Sequence, residues 1–222
     1  MSAPMRRRGG KAGFLSTTLR SVEGKAALRQ PPFVIIGPMK PSSADAGLIE
    51  KFVSKKTIWH GRAVDFRIDT VKLPNGKLAT REFMDHPGAV GIVPFLDKNH
   101  VVMVRQYRHP VGEVTLELPA GKLDKGESIL KCLKRELQEE TGYTAKKITP
   151  LIQYWPTPAF ANEVLHLYVA ENLVPGTMNT DDDEFLQCVV VPFKKALAMV
   201  KRGEIRDSKT VVGLLFCAVN RK

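Results

Sequence analysis

From about residue 52 the chain alternates apolar and polar positions in short runs. Residues 52–59, 63–73 and 78–84 read as strands of period two, and Pro74-Asn75-Gly76 supplies a hairpin turn between the last two. Together they predict a three-stranded antiparallel module. A second series follows at 89–96 and 101–107, separated by Asp97-Lys98-Asn99, and then at 113–118. Further strands are expected at 148–155, 163–170 and 185–191.

The period changes at 128–141, where Ile129, Leu130, Leu133 and Leu137 form one apolar face of a helix. Gly142 follows as a C-terminal stop, and Asp124 with Glu127 stands at capping-box spacing ahead of the run, with Asp as the cap. Two more helices are expected at 193–202 and about 208–220. Strands interleaved with a few helices, without a repeating βαβ unit, make an α/β chain of mixed topology. There is no internal repeat.

The first forty residues lack any sustained period and are rich in Arg, Ser, Gly and Pro, so residues 1–48 read as a flexible basic leader. Three interpretations stand side by side: a mitochondrial transit peptide, a disordered tail, or a mis-assigned start with Met39 as the true first residue. A cytoplasmic location is expected, or a mitochondrial one if the leader is a transit peptide. The leader also changes what the formal charge of +11 means. Residues 1–40 hold eight Lys and Arg against Glu23, a net of +7, which leaves +4 for the rest of the 222 residues. That distribution argues against a basic nucleic-acid-binding face. No apolar run approaches the roughly 18 residues of a membrane-spanning helix, so no membrane partner is expected. Cys132, Cys188 and Cys217 are widely spaced and embedded in apolar stretches, as buried thiols are.

One segment carries chemistry. Gly121-Lys-Leu-Asp-Lys-Gly-Glu127 is followed after seven residues by Arg135-Glu136-Leu137-Gln138-Glu139-Glu140-Thr141-Gly142-Tyr143. Glu136, Glu139 and Glu140 fall on one helix face, where like charges repel. A solvated acidic face would account for a few glutamates, whereas a bound cation accounts for their clustering, and hard oxygen donors favour Mg2+ or Mn2+.

The segment resembles the signature of the Nudix hydrolases: Gly, five residues, Glu, seven residues, then Arg-Glu-aliphatic-any-Glu-Glu-any-Gly. Tyr143 is the one loose fit, at a final position that is usually aliphatic. The resemblance implies an α/β/α sandwich with a mixed sheet at residues 88–222, preceded by the strand module at 49–87. It implies Glu136 and Glu140 as main metal ligands, with Glu139 as a further ligand or water-orienting group and the Ala120 carbonyl completing the site. Two or three ions per site are expected. Gly121, Glu127, Arg135 and Gly142 become scaffold of the loop.

The flanks are similar to the ADP-ribose and ADP-sugar pyrophosphatase branch: Arg105-Gln-Tyr-Arg108-His-Pro110, Glu117-Leu-Pro-Ala-Gly121, and a proline about sixteen residues past the box, met by Pro158. That branch implies cleavage of a nucleoside diphosphate sugar in a homodimer whose strand modules are exchanged. Arg81 and Glu82 then contact the nucleotide from the neighbouring chain, and Arg108 holds a phosphate. The catalytic base lies outside the box, in the acidic run Asp181-Asp-Asp-Glu184; Glu184 is the first candidate and Glu163 the second. Phe66, Trp59 and Phe160 are possible base-stacking aromatics. Rival readings are a Nudix enzyme for another nucleotide sugar, such as GDP-mannose, a non-catalytic ligand sensor, and RNA decapping aided by the basic leader, which predicts binding that weakens steeply with salt.

Overall fold

The computed structural model describes residues 41–180 and 183–220. Most of the leader, together with Asp181 and Asp182, lies outside the described residues. Ten strands and three helices of four residues or more, or of sheet register, organise the rest: β1 (Lys51–His60), β2 (Asp65–Lys72), β3 (Leu78–Asp85), β4 (Ala89–Pro94), β5 (His100–Arg108), β6 (Glu113–Glu117), β7 (Ala120–Lys122), α1 (Ile129–Thr141), β8 (Tyr143–Tyr154), β9 (Leu165–Pro175), β10 (Leu186–Pro192), α2 (Phe193–Lys201) and α3 (Ser208–Asn220).

Three sheets result. β1, β2 and β3 form an antiparallel sheet in sequence order, turned at Gly76 with φ of 85°. β10, β5 and β6 form a second antiparallel sheet. The central sheet, β7-β4-β9-β8, is mixed: β4 runs parallel to β9, and its other pairs are antiparallel.

Strand alternation sorts the core into two sides of this central sheet. Val90, Ile92, Tyr168 and Ala170 pack with Cys132, Leu133 and Leu137 of α1. Val93 and Val169 share the opposite cluster with Leu118, Ala196 of α2, and Leu214 and Cys217 of α3. The sheet is therefore covered by α1 on one face and by α2 and α3 on the other, the α/β/α sandwich that the resemblance implied. β4 is buried along its whole length, as a strand sandwiched between helices must be.

The structure lengthens or adds strands where local pattern was weak. β8 starts at Tyr143, directly after Gly142, and β9 runs on to Pro175, because Tyr143 to Lys147 pairs with Glu171 to Pro175. The short β7 has no strand propensity of its own and exists through its register with Ala89 to Gly91. It carries Ala120 and Gly121 to the foot of α1.

Candidate active site

The loop between β7 and α1 is closed by its own charges. The Asp124 amide donates to Glu127 Oε2 at 3.3 Å, and the Glu127 amide donates to the Asp124 carbonyl at 2.9 Å. Arg135, one turn and a half into the helix, reaches back with Nε to Glu127 Oε1 at 3.2 Å and with Nη2 to Oε2 at 2.9 Å. This pairing holds the Glu127 carboxyl down at about 2. The helix cap itself is Ser128, whose Oγ accepts from the Lys131 amide at 3.4 Å. The Asp124 and Glu127 spacing thus closes the loop rather than capping the helix, which corrects the sequence reading. Gly142 ends α1 in the left-handed region at φ 72°, its amide donating to the Gln138 carbonyl at 2.8 Å.

Three glutamates of α1 face this loop. Glu136 and Glu140 are buried, at 8% and 3% exposure, while Glu139 is half-exposed. Arg135 Nη1 donates to Glu136 Oε1 at 2.7 Å and to Glu139 Oε2 at 3.0 Å. Glu140 Oε2 accepts the Ala120 amide at 3.0 Å. Gly121 lies against Glu136 so closely that a Cβ there would stand 1.8 Å from Oε1. Burial pushes the Glu136 carboxyl up to about 7 and Glu140 to about 8; Arg135 and the Ala120 amide oppose this, and the neighbouring carboxylates, Glu184 included, add to it.

Glu184 stands on the segment entering β10, partly buried, and its charge acts on both buried glutamates. Asp183 instead pairs with Arg62 at 2.5 Å on an exposed surface. Among the described residues no three acidic, His or Cys side chains converge as a ready-made metal cage. Their oxygens are turned to Arg135 and to the Ala120 amide. The donor chemistry nonetheless fits a hard divalent ion, since two buried carboxylates ionise with difficulty until a cation joins them.

A second charged cluster flanks the first. Arg108, at the end of β5, grips Glu117 of β6 with Nε to Oε1 at 2.8 Å and Nη2 to Oε2 at 2.7 Å. Lys209, in the first turn of α3, pairs with the same carboxylate and with Asp207 at 3.1 Å. Burial pushes Glu117 up, but Arg108 and Lys209 outweigh it and hold the carboxyl down at about 2. Arg108 also feels the charge of Glu140. The sequence points to Arg108 alone and not to Glu117, Asp207 and Lys209, its partners in this cluster. The available signal was a charge embedded in apolar neighbours, as Glu117 is between Leu116 and Leu118.

Arg81, Glu82 and Pro158 line one cleft of about 480 Å³ with Phe83, Trp155 and Asn162. Arg81 is engaged there by Glu50, through Nε at 2.9 Å and through Nη2. Trp155, which the sequence reading had not selected, is largely exposed in this cleft, and Trp59, Phe66 and Phe160 are exposed as well. Glu163 lies just before β9, where its charge acts on His86 and Tyr154.

Known proteins are similar to this chain. The chain is 40% identical over 171 residues to an ADP-ribose pyrophosphatase of Bacillus subtilis, covering 76% of this chain and 92% of the relative. It is 41% identical over 169 residues to a methanol dehydrogenase activator of Bacillus methanolicus, covering 75% and 91%. A solved structure, that of an ADP compounds hydrolase, superposes with a TM-score of 0.67 at 24% identity, covering 77% of this chain and 92% of its own, a likeness of fold. The NUDIX domain model matches residues 85–212, a span that holds the loop, the glutamates of α1 and the Arg108 cluster, and the chain therefore belongs to the Nudix family.

Proposed function

We propose that this Nudix enzyme hydrolyses the diphosphate bond of ADP-ribose or a related nucleoside diphosphate sugar, in a magnesium-dependent reaction that yields a nucleoside monophosphate and a sugar phosphate. The observation that carries the reading is the set of buried Glu136 and Glu140 with Glu139, gathered by Arg135 and the β7 backbone and approached by Glu184. The name of the 40% identical relative supports ADP-ribose as the substrate.

Glu136, Glu140 and Glu139 would hold two or three Mg2+ ions, or Mn2+, with the Ala120 carbonyl. The chemistry a bound divalent ion supplies is neutralisation of the diphosphate and easier ionisation of water. Arg108 holds a phosphate oxygen and so lowers the repulsion that an anion presents to a nucleophile. Glu184 accepts the proton of the attacking water, with Glu139 orienting that water and Glu163 as the second candidate base. One P–O bond forms to the water oxygen and the bridging P–O bond breaks, so ADP-ribose gives AMP and ribose 5-phosphate without a covalent enzyme intermediate. Arg135, Glu127, Gly121 and Gly142 maintain the loop.

The base and ribose are read in the cleft of Arg81, Glu82 and Pro158. We further assign a homodimer in which the β1–β3 module is exchanged; Phe52, Val53, Ile58 and Trp59 leave β1 with an exposed apolar surface that a second copy would cover. Product analysis over ADP-ribose, ADP-glucose and GDP-mannose tests the substrate. AMP release that is fastest from ADP-ribose supports the proposal, and faster GMP release from GDP-mannose refutes the substrate assignment.

A further inference from the structure

Glu117 is 2% exposed, yet both of its oxygens are doubly engaged. Oε1 accepts Arg108 Nε and Thr115 Oγ1 at 2.8 and 2.6 Å, and Oε2 accepts Arg108 Nη2 and Lys209 Nζ. Two carboxylates, Glu117 and Asp207, are thereby balanced by two cations, Arg108 and Lys209. The cluster uses one edge of the Arg108 guanidinium. Among the described residues Nη1 donates to no protein group, and the Arg108 side chain remains 42% exposed. The charge of Glu140 acts on Arg108 as well.

Lys209 is buried and has no place in the chemistry described above. Its chain neighbours tie the start of α3 to the segment between β6 and β7. Thr210 Oγ1 accepts the Leu118 amide at 2.8 Å and donates to Asp207 Oδ2 at 2.5 Å. Leu118 is two residues before Ala120, so α3 braces the backbone that enters the box.

We propose that Lys209 is a positioning residue: by neutralising Glu117 from behind, it lets that carboxylate hold Arg108 with Nη1 presented to a phosphate oxygen of the substrate. This rests on the phosphate-binding role proposed for Arg108. Without Lys209, the buried Glu117 and the partly buried Asp207 are left with one cation, and Arg108 is drawn toward both or Glu117 takes up water. In either case the presented edge loses its fixed direction.

A double-mutant cycle tests this, with inorganic pyrophosphate and Mg2+ as the probe in calorimetry of the full chain. Lys209→Met and Arg108→Ala should each weaken binding about 10- to 100-fold. The double variant should be no weaker than Arg108→Ala alone, and Lys209→Arg should restore most of the affinity. Unchanged binding by a folded Lys209→Met protein overturns the proposal, as do losses that multiply in the double variant. If Lys209→Met gives no cooperative melt, Glu117→Gln decides by the same cycle: losses shared with Arg108→Ala support the proposal and multiplied losses overturn it. The wider reading is read separately, as AMP release from ADP-ribose by the unaltered protein, so either claim can fail without the other.

Discussion

Replacing Gly121 with alanine should separate activity from stability. The backbone at Gly121 has no left-handed φ, so alanine meets no torsional penalty there. The added Cβ would stand 1.8 Å from Glu136 Oε1, 1.9 Å from Cδ and 2.4 Å from Oε2. Ordinary non-bonded contact needs roughly 3.5 Å or more, so the carboxylate must retreat by roughly 1.5 Å. It is the end of a flexible side chain and can do so. The retreat breaks its 2.7 Å bond to Arg135, a charge-assisted contact whose loss costs about 1–2 kcal/mol after discount for solvent at the half-buried arginine. For a domain of this size that lowers Tm by about 2–8 °C. The effect on catalysis is far larger, because a displacement of about 1 Å in a reacting group costs about 100-fold. AMP release from ADP-ribose with magnesium, measured beside a thermal melt, should show kcat down at least about 100-fold with a modest loss of Tm. A folded Gly121→Ala protein that keeps kcat within a few-fold of the original would refute the placement of Glu136 in the reaction.

In metal-free protein the raised carboxyls of Glu136 and Glu140, at about 7 and about 8, bind protons that the unfolded chain has lost. Their contribution favours folding below pH 4.5 and is lost as pH rises toward 8, so melts in chelator should fall between pH 6 and pH 8.5. Magnesium should raise Tm more at pH 8.5 than at pH 6, and an increment that shrinks with pH contradicts this. Gly142→Ala should destabilise by about 1–2 kcal/mol in urea, since φ is 72° and the new Cβ would meet the Met178 amide at 3.0 Å; no change in the midpoint would show the cap to be dispensable. Glu117→Gln should cost about 2–4 kcal/mol at pH 7, and the difference from the original protein should narrow as pH falls from 4.5 toward 2, where Glu117 itself takes up a proton. A gap that stays constant across that acid range would argue against Glu117 as a paired carboxylate.

The loop, α1 and its glutamates were legible because their information is local: spacing within one segment defines the loop, the helix face and the stop at Gly142. The α/β class followed from periodicity in the same way. What escaped is non-local. Glu117 and Lys209 meet across 92 residues of sequence, and neither segment alone says that it neutralises the other. β7 depends on the register of Ala89 to Gly91, and the early part of β8 on the late part of β9, so pairing rather than propensity sets both. Trp155 is at the end of the segment read as a strand, where the pattern alone does not reveal that it lines a cleft with Arg81 and Pro158. Ser128 was overlooked as the cap because Asp124 and Glu127 imitate its spacing while serving the loop.

The central claim is tested most directly by magnesium-dependent AMP release from ADP-ribose, with the original protein set against Glu140→Gln. Release that requires magnesium and is abolished in a folded Glu140→Gln protein is the predicted result; equal release by the variant, or none from the original protein, would contradict the account.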